Sequence, residues 1–296
     1  MNKVIIEVGS TVTKIYQYNG QTIKDLGFLT IQFKNNYKLS NKLDQKDIDT
    51  LISKIEELKS LANDILVLGT SIFRELNETE KREFLKEFRK RTQVDFEIIS
   101  QEEENELTVY GAVRNVKQKV AVFIGGGGST EISIYDHEIL EMVNSKIGVI
   151  DILNIYPDLA DDFAATDIEI VKEKIKEKLN IPDQKADILI LSGGGHKKFA
   201  LESGITYEKN ILYKDDIQPI MMTIENRIKD SDDYYKKISL DEIRNQSNDP
   251  KWWNATRPMC AFVLVVAQKI GAKYIVPTDI SMIYGIINKL ENKSNI

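Results

Sequence analysis

The chain has 296 residues, and its 40 lysines and arginines against 46 aspartates and glutamates give a formal net charge of −6 at pH 7. Apolar residues make up 42% of the chain, which is enough for a sizeable core and excludes a globally disordered protein. The acidic balance argues against non-specific nucleic-acid binding, because such binding needs a basic surface.

Cysteine and histidine are too few for several common kinds of site. Cys260 is the only cysteine, so no disulfide can form within the chain, and His137 and His196 are the only histidines. A Cys/His metal cluster is therefore excluded, and a Ser-His-Asp triad would depend on one of two ordinary histidines. The groups left for chemistry are carboxylates, hydroxyls, arginines and glycine-rich backbone.

No segment has the pattern of a signal peptide or a membrane span. Glu7 follows three apolar residues, which is too early for the apolar core of a secretory signal. The longest apolar stretch near the C-terminus, 258–267, has about ten residues, half of what a bilayer needs. We therefore expect a soluble cytoplasmic protein with no membrane partner.

Strand and helix patterns alternate through the first part of the chain. Buried or alternating apolar segments predict strands at 4–6, 12–18, 26–33, 65–68 and 96–99. Apolar residues at helical spacing predict helices over 47–61, around 84–88 and over 102–113. Asn19-Gly20 predicts a two-residue hairpin turn between the second and third strands.

The pattern restarts near residue 120. Further strands are predicted at 120–124, 129–135, 139–143, 188–191 and 274–276, and further helices at 214–229, 256–271 and 279–291. Such a mixture of hairpins and strand–helix alternation is typical of the α/β class. We predict two domains, 1–116 and 117–278, with the last helix (279–293) packing back on the first.

The two predicted hairpins near residues 7 and 124 share residues at a constant offset of 117. This offset relates Gly9 to Gly126 and Thr13 to Thr130, among others. A repeat of this kind indicates a duplicated unit of strand, glycine and hydroxyl turn, and returning strand. The alternative is that any two β-hairpins look alike.

Five short segments occur in a fixed order: Ile-Glu-Val-Gly-Ser at 6–10, Thr-Ser-Ile-Phe-Arg-Glu-Leu-Asn at 70–77, Ile-Ser-Gln-Glu-Glu-Glu at 99–104, Gly-Gly-Gly-Ser-Thr-Glu at 126–131 and Ser-Gly-Gly-Gly at 192–195. They resemble the exopolyphosphatase/guanosine pentaphosphatase (Ppx/GppA) phosphatases of the actin-like ATPase and sugar-kinase superfamily. The second, third and fourth segments carry most of the resemblance, which extends from residue 4 to about 200. It implies two actin-like (ribonuclease H-like) domains facing a central cleft.

The glycine-rich turn is the main phosphate-binding candidate. Gly126, Gly127 and Gly128 place small residues at a tight turn, so several backbone N–H groups can point at one phosphate. Ser129 and Thr130 add hydroxyl donors. An ordinary hairpin turn is the alternative, but four consecutive glycines exceed what a hairpin needs, and the resemblance favours phosphate binding.

Ser10, Thr11 and Arg74 complete the phosphate contacts that the resemblance implies. Ser10 and Thr11 would form a cradle facing the glycine turn, although an isolated Gly-Ser turn is weak support. An arginine fork matches phosphate oxygens, and the family's arginine at the place of Arg74 contacts substrate phosphate. From the residues alone, Arg74 is better explained as a helix-surface arginine paired with Glu75 or Glu78.

Glu104 matches the glutamate with which the family activates the attacking water. A run of three acids is usually a solvated helix start, where negative charge suits the helix dipole. That alternative explains the composition of the run but not its register after Ile99-Ser100. In-line attack by water on a terminal phosphoryl group needs no covalent intermediate, in agreement with the scarcity of cysteine and histidine.

Glu131 and Glu7 are the metal-binding candidates that the resemblance implies, with Mg²⁺ as the cofactor. Magnesium prefers few protein ligands together with water and substrate phosphates. The family's aspartate before the glycine turn is Ile124 here, which cannot bind a cation. In the first hairpin the family's aspartate is Glu7, and its arginine is Lys14, a point charge in place of a fork.

Other family motifs are altered further along the chain. Asn-Ser-Lys-Ile-Gly at 144–148 replaces Ser-Leu-Pro-x-Gly, and His196 follows the last glycines in place of threonine. Near the C-terminus the segment 278–285 lacks the family's Arg-Glu pair, and only Arg257 is a candidate for the earlier C-terminal arginine.

Two functions therefore stay open. The first is a phosphohydrolase that releases terminal phosphate from polyphosphate or guanosine pentaphosphate. The second is a weakened family member that binds a phosphorylated ligand or nucleotide without efficient hydrolysis. An ATP-dependent sugar kinase of the same superfamily is a third class, which the segments 70–77 and 99–104 disfavour. Family members are often dimers, so the resemblance also implies a homodimer as one assembly.

Overall fold

The computed structural model describes residues 2–10, 12–62, 64–70, 72–114, 116–161, 163–193, 196, 221–229, 256–278 and 280–293. The chain divides into two compact units, one of Met1–Leu107 with Lys289–Ile296 and one of Thr108–Asn288. Each unit is built on one mixed β-sheet with helices.

The first sheet has five strands in the order β3-β2-β1-β4-β5. Their bounds are β1 Lys3–Val8, β2 Val12–Tyr18, β3 Ile23–Thr30, β4 Asp64–Gly69 and β5 Phe96–Ile98. β1, β2 and β3 form an antiparallel meander, whereas β1, β4 and β5 are parallel neighbours. The carboxyl ends of the three parallel strands therefore lie along one edge of the sheet.

Five helices begin in the first unit: α1 Phe33–Ser40, α2 Gln45–Leu58, α3 Ile72–Glu75, α4 Glu78–Thr92 and α5 Gln101–Ala112. The predicted stripe of apolar residues in α2 is buried, and the Asp44 side chain caps that helix by accepting from the Lys46 N–H. Phe73, Phe84 and Phe96 contact one another in the core with ring centroids 4.8–5.4 Å apart. This aromatic cluster holds α3 and α4 against the start of β5.

The second sheet has six strands in the order β10-β11-β9-β6-β7-β8. Their bounds are β6 Val120–Gly125, β7 Thr130–Asp136, β8 Glu138–Ser145, β9 Ile188–Ser192, β10 Met222–Thr223 and β11 Tyr274–Pro277. β6, β7 and β8 form an antiparallel meander. β6 also pairs in parallel with β9, which pairs in parallel with β11. This arrangement repeats the meander-plus-parallel plan of the first sheet.

The described residues of the second unit form α6 Val149–Ile155, a 3₁₀ turn Pro157–Ala160, α7 Ile168–Lys178, α8 over 224–229, α9 Thr256–Ile270 and α10 Met282–Lys293, the last of which ends in the first unit. α9 is buried along most of its length, as expected for a helix that is apolar on nearly all sides. It packs in one cluster with sheet residues such as Phe123 and Ile132. The patterns above do not predict α6, the 3₁₀ turn or α7.

The predicted third strand and its hairpin turn are wrong in detail. β3 ends at Thr30, and Phe33 begins α1 rather than ending a strand. Ile31 and Phe33 are both buried, which mimics strand alternation, but the Lys34 N–H bonds the Ser10 carbonyl oxygen at 3.0 Å and starts a helix. The connection after Tyr18 has four residues, because the Asn19 side chain accepts from two backbone N–H groups, of Gln21 and Thr22.

The predicted helix over 214–229 is also partly wrong. Residues 222–223 form β10, which pairs with β11, and only 224–229 are helical; 214–220 lie outside the described residues. The predicted domain bounds of 1–116 and 117–278 stay predictions. The two compact units divide between Leu107 and Thr108, which lie within α5. None of the helices in the described part of the chain is long and apolar enough to cross a membrane.

Candidate functional site

Three charged residues lie at or just after the carboxyl ends of the three parallel strands of the first unit. Glu7 lies one residue before the end of β1, Arg74 lies in α3 just after β4, and Glu104 lies in the first turn of α5 just after β5. Ligands of open α/β sheets bind at the carboxyl ends of such strands. The chain order of the strands thus places these side chains along one edge.

Arg74 and Glu104 form a direct ion pair. Arg74 Nη1 donates to Glu104 Oε2 at 2.7 Å and to the Ile99 carbonyl oxygen at 3.3 Å. Both side chains are partly exposed, by 24% and 29%, so a solute can reach them. The pairing with Glu75 or Glu78 that the residues alone favour is wrong: Glu75 lies near Lys34 instead.

Glu7 and Lys14 form a second ion pair across the first hairpin. They are register partners on β1 and β2, and Lys14 Nζ lies 3.4 Å from Glu7 Oε1. The other carboxylate oxygen of Glu7, Oε2, is buried and has no hydrogen-bond partner. Glu7 can therefore accept one more donor or bind a cation.

The two ion pairs influence each other electrostatically. Burial raises the pKa of Glu104, the hydrogen bond and charge of Arg74 lower it, and the charge of Glu7 raises it. The net effect is a pKa above the ordinary glutamate value. The pKa of Lys14 is raised as well, chiefly by the charge of Glu7, with Glu104 adding to it. A carboxylate whose pKa is raised toward neutral is a better general base.

A backbone hydrogen bond from the Gly9 N–H to the Val12 carbonyl oxygen closes the first hairpin turn at 3.0 Å. A Cβ atom at residue 9 would lie 2.8 Å from that oxygen, so only glycine fits. The carbonyl of Ser10, a predicted phosphate contact, accepts from the first turn of α1. Thr11, the other predicted contact in this turn, lies outside the described residues.

The second hairpin repeats the register of the first at the offset of 117. Ile124 pairs with Glu131 as Glu7 pairs with Lys14, and the Gly126 N–H bonds the Ser129 carbonyl oxygen at 2.9 Å. The repeat predicted from the residues is therefore present in the pairing of the strands.

The glycine turn is docked on the start of α6. The carbonyl oxygens of Gly126 and Gly127 accept from the N–H groups of Val149 and Ile150 at 3.1 and 2.9 Å. Because a trans peptide points its C=O and N–H in opposite directions, the N–H groups of Gly127 and Gly128 face away from α6. Gly127 and Gly128 are exposed, so a solute can reach both N–H groups, as the predicted phosphate contact requires.

Gly148 allows the turn and α6 to meet. A Cβ atom there would lie 2.4 Å from the Gly126 carbonyl oxygen and equally close to Gly127. The resemblance marks 144–148 only as an altered family segment and does not predict this packing role. The signal in the sequence is a glycine immediately before an apolar helix.

The two hydroxyl residues of the glycine turn differ in their surroundings. Thr130 is buried, and its hydroxyl donates to the Ile147 carbonyl oxygen at 2.8 Å, so its one donor is already used within the protein. Ser129 is half-buried at the turn. The role of both hydroxyls in phosphate binding stays a prediction. Ser129 is the better candidate of the two, because the Thr130 donor is already used.

Comparisons with known proteins identify the family and the fold. A model of the Ppx/GppA phosphatase family matches residues 20–232. The chain belongs to the Ppx/GppA phosphatase family. It is similar to the Ppx/GppA structure of Aquifex aeolicus, with 17% identity and a TM-score of 0.77, over 100% of this chain and 99% of that one. The type II variant from the same organism gives 16% identity and a TM-score of 0.77, over 98% and 99% of the chains.

An exopolyphosphatase structure of Cytophaga hutchinsonii is also similar, with 15% identity, a TM-score of 0.75 and coverage of 99% of this chain and 98% of that one. The comparison with curated protein sequences found no significant match. At these identities the solved structures show the fold. They confirm the predicted α/β class with the actin-like fold.

The predicted metal ligand Glu131 has a strand neighbour that cannot bind a cation. Glu131 is buried in the second unit, beside Ile124 on one neighbouring strand and Asn144 on the other. Ile124 supplies no ligand there. No group of three or more histidine, cysteine, aspartate or glutamate side chains among the described residues could hold a metal ion.

The residues nevertheless fit a magnesium ion that takes few protein ligands. The orphaned buried oxygen of Glu7 suits a cation, since a buried carboxylate oxygen without a partner is unfavourable. Lys14 already neutralises the other oxygen of that carboxylate, which sequence reasoning recorded only as a departure from the family. Lys14 lies opposite Glu7 in the predicted hairpin, and the offset of 117 relates it to Glu131. This position is the signal in the sequence that could have marked its role.

Arg257, the candidate for the family's C-terminal arginine, is buried and donates hydrogen bonds to backbone carbonyl oxygens. It is 1% exposed, and its Nη1 donates to the carbonyl oxygens of Leu159 and Asp161, just inside and just after the 3₁₀ turn. A buried guanidinium used in this way fixes the loop that precedes α7. It is therefore an anchor of α9 in the second unit.

Proposed function

We propose that this protein is a phosphohydrolase that releases terminal phosphate from polyphosphate or guanosine pentaphosphate. The observation that carries the proposal is the Arg74–Glu104 pair: a carboxylate of raised pKa lies 2.7 Å from an arginine fork at the carboxyl edge of the first sheet. Membership of a phosphatase family supports the same reaction class.

In the proposed reaction, water attacks the terminal phosphorus in line with the anhydride oxygen. The new P–O bond forms as the P–O bond to the leaving phosphate breaks, and the water proton passes to Glu104. Arg74 pairs with Glu104 before substrate binds, and its fork also suits phosphate oxygens. When Arg74 turns to the phosphate, Glu104 loses the contact that lowers its pKa and becomes a stronger base.

Glu7 in the first unit and Glu131 in the second are each proposed as a carboxylate for Mg²⁺, and the ion would neutralise phosphate charge when bound. The glycine turn of the second unit is proposed as a phosphate site through the N–H groups of Gly127 and Gly128. A net charge of −6 suits a small phosphorylated ligand better than a long polyphosphate tracked over a basic surface. We therefore expect short substrates to be preferred.

The test is phosphate release from polyphosphate, guanosine pentaphosphate and ATP in the presence of Mg²⁺. Loss of a general base lowers the rate by about 10²–10⁴-fold, which is the effect that we expect for Glu104→Gln. Glu102→Gln is the matched control, because Glu102 is exposed on the same helix turn. Equal rates for wild type and Glu104→Gln would remove Glu104 from the mechanism.

The second candidate function is binding of a phosphorylated ligand or nucleotide without efficient hydrolysis. The observation in its favour is Ile124 facing Glu131, where the family has an aspartate. If the lost ligand limits catalysis, Ile124→Asp raises turnover in Mg²⁺. An unchanged rate in a folded variant, together with ligand binding by the wild type and no release from any substrate, supports the binding function.

A further inference from the structure

Two exposed apolar side chains lie beside Lys14 on the first sheet. Phe28 is 73% exposed and Val12 is 38% exposed. Phe28 is the register partner of Lys14 on β3, and Val12 lies two residues before Lys14 on β2, so the three side chains share one face of the sheet. Single exposed apolar residues are ordinary on protein surfaces, but these two are diagonal neighbours on either side of a charged group. We call Val12 and Phe28 the apolar platform.

The apolar platform lies on the same face of the sheet as Glu7. Glu7 pairs with Lys14, and Lys14 pairs with Phe28, so these three residues form one row across β1, β2 and β3. Neighbouring strands are about 4.8 Å apart, which places Phe28 roughly 10 Å from Glu7 along the row. Lys14 lies between them, with its Nζ 3.4 Å from Glu7 Oε1. The row therefore leads from a carboxylate through an ammonium group to an exposed aromatic ring.

A β-bulge in β3 keeps Phe28 out of the core. The pairing of β2 with β3 shifts register so that Leu26 is an extra residue between Asp25 and Gly27. Gly27 has a positive φ of 98°, and its N–H donates to the Asp25 carboxylate at 2.7 Å. In an unbroken strand, residues three apart face opposite sides, but here Leu26 and Leu29 both pack against the core and Phe28 stays exposed. Bulges of this kind are enriched at sheet edges and beside active sites, where they redirect a side chain.

The strand order extends this row toward the Arg74–Glu104 pair. The sheet runs β3-β2-β1-β4-β5, and Arg74 and Glu104 follow β4 and β5. One side of the carboxyl edge of the sheet is therefore apolar, and the rest of that edge is charged. An inorganic polyphosphate is charged along its whole length and has no group that would cover Phe28. A ligand that suits both parts of the edge has a phosphate chain joined to a flat apolar ring.

We propose that Phe28, with Val12 beside it, is a specificity-determining residue that stacks against the base of a nucleoside polyphosphate. This assignment rests on the proposed phosphate site of the first unit, and it narrows the substrate of that site to nucleotides rather than inorganic polyphosphate. Stacking of a base on an aromatic ring tolerates any base, because every base has a π-face. Neither platform side chain has a polar atom that could recognise a base edge, so GTP and ATP are bound about equally.

The test is isothermal calorimetry of the full chain with GTP, ATP and tripolyphosphate, which has the phosphate chain of GTP without the nucleoside. EDTA replaces Mg²⁺, so that the proposed hydrolysis does not consume the ligands. The wild type binds both nucleotides more tightly than tripolyphosphate. Phe28→Ser weakens the binding of both nucleotides by about fivefold or more, the effect of losing one base–aromatic stack, and leaves tripolyphosphate binding unchanged.

Three further variants separate the ring from its apolar bulk. Phe28→Tyr keeps the ring and retains the wild-type affinity for GTP. Phe28→Leu keeps apolar bulk without a ring and loses most of the preference for GTP over tripolyphosphate. Leu39→Ser is the matched control, because Leu39 is an apolar residue of α1 that is 87% exposed, and it binds all three ligands as the wild type does.

Equal GTP affinities in wild type and Phe28→Ser overturn the proposal, as does a wild type that binds GTP no more tightly than tripolyphosphate. An equal loss of both affinities also overturns it, because Phe28 would then only support Lys14. Sedimentation checks a different occupant: if Phe28→Ser converts a dimer to a monomer without changing GTP affinity, the apolar platform is a self-association surface. Failure of the proposed hydrolysis is recognised separately, from the rate of phosphate release in Glu104→Gln.

Discussion

The first and second hairpins have the same backbone plan and different side-chain chemistry. In both, a glycine N–H bonds a carbonyl oxygen three residues on, and the strands pair in the same register. The first hairpin carries the Glu7–Lys14 ion pair, whereas the equivalent positions in the second are Ile124 and Glu131. The two hairpins thus share a backbone plan and differ in the charges that they carry.

This difference separates two kinds of candidate phosphate site. The first unit offers side-chain charge, because Lys14 and Arg74 lie near the carboxylates of Glu7 and Glu104. The second offers backbone N–H groups from a glycine turn that is fixed by α6. A side-chain site depends on pH and on single charges, whereas a backbone site depends on the geometry of the turn.

The largest effect is expected when the side-chain site loses its arginine. Arg74→Ala should weaken binding of a phosphorylated ligand by about 1.5–3 kcal/mol, the value of a hydrogen bond to a charged group. Calorimetry with pyrophosphate measures it. Arg82→Ala, at an exposed arginine of α4, is the control. Identical affinities for wild type and Arg74→Ala would mean that Arg74 serves only to hold Glu104.

The glycine turn of the second unit should be as sensitive to one added methyl group at Gly148 as the side-chain site is to the loss of Arg74. Gly148→Ala places a Cβ atom 2.4 Å from the Gly126 carbonyl oxygen, and overpacking of this kind costs about 1–3 kcal/mol of stability. The control is Gly128→Ala, where a Cβ atom meets nothing within 4 Å. Urea unfolding compares the two variants. A Gly148→Ala protein as stable as the control would show that α6 does not hold the turn.

Thr130 distinguishes a structural hydroxyl from a ligand contact. Thr130→Val removes the hydrogen bond to the Ile147 carbonyl oxygen, and we expect a loss of about 0.5–1.5 kcal/mol in unfolding free energy. Phosphate affinity should change little, because the donor already has a partner. Ser129→Ala is the matched variant, with weaker affinity and nearly unchanged stability. If Thr130→Val instead weakened phosphate binding and left stability nearly unchanged, Thr130 would be a phosphate contact.

The smallest effect concerns the pH dependence of the first unit. The pKa of Glu104 is raised, so the base is protonated below that value, and activity increases as the pH rises through it. Lys14 lowers this pKa, so Lys14→Met should move the acidic limb of kcat/KM to higher pH, and Lys14→Arg should restore it. If the acidic limb of kcat/KM does not move in Lys14→Met, a group other than Glu104 controls the loss of activity at low pH.

The local patterns were sufficient for most elements. Apolar spacing marked α2, buried runs marked β1 and β6, and the 117-residue offset marked two related hairpins. The errors arose where tertiary contacts overrode local pattern. Phe33 has strand-like spacing, yet a hydrogen bond from the next residue to the Ser10 carbonyl turned that segment into helix.

The site residues were recognised by motif, but their partners were not. Arg74 and Glu104 are 30 residues apart and meet because β4 and β5 are parallel neighbours, which no local pattern encodes. The sequence by itself determined the fold class, the glycine turn and the charge that each hairpin carries. Only the tertiary structure decided which charges pair, because strand order and burial set the distances on which Coulomb energies and hydrogen bonds depend.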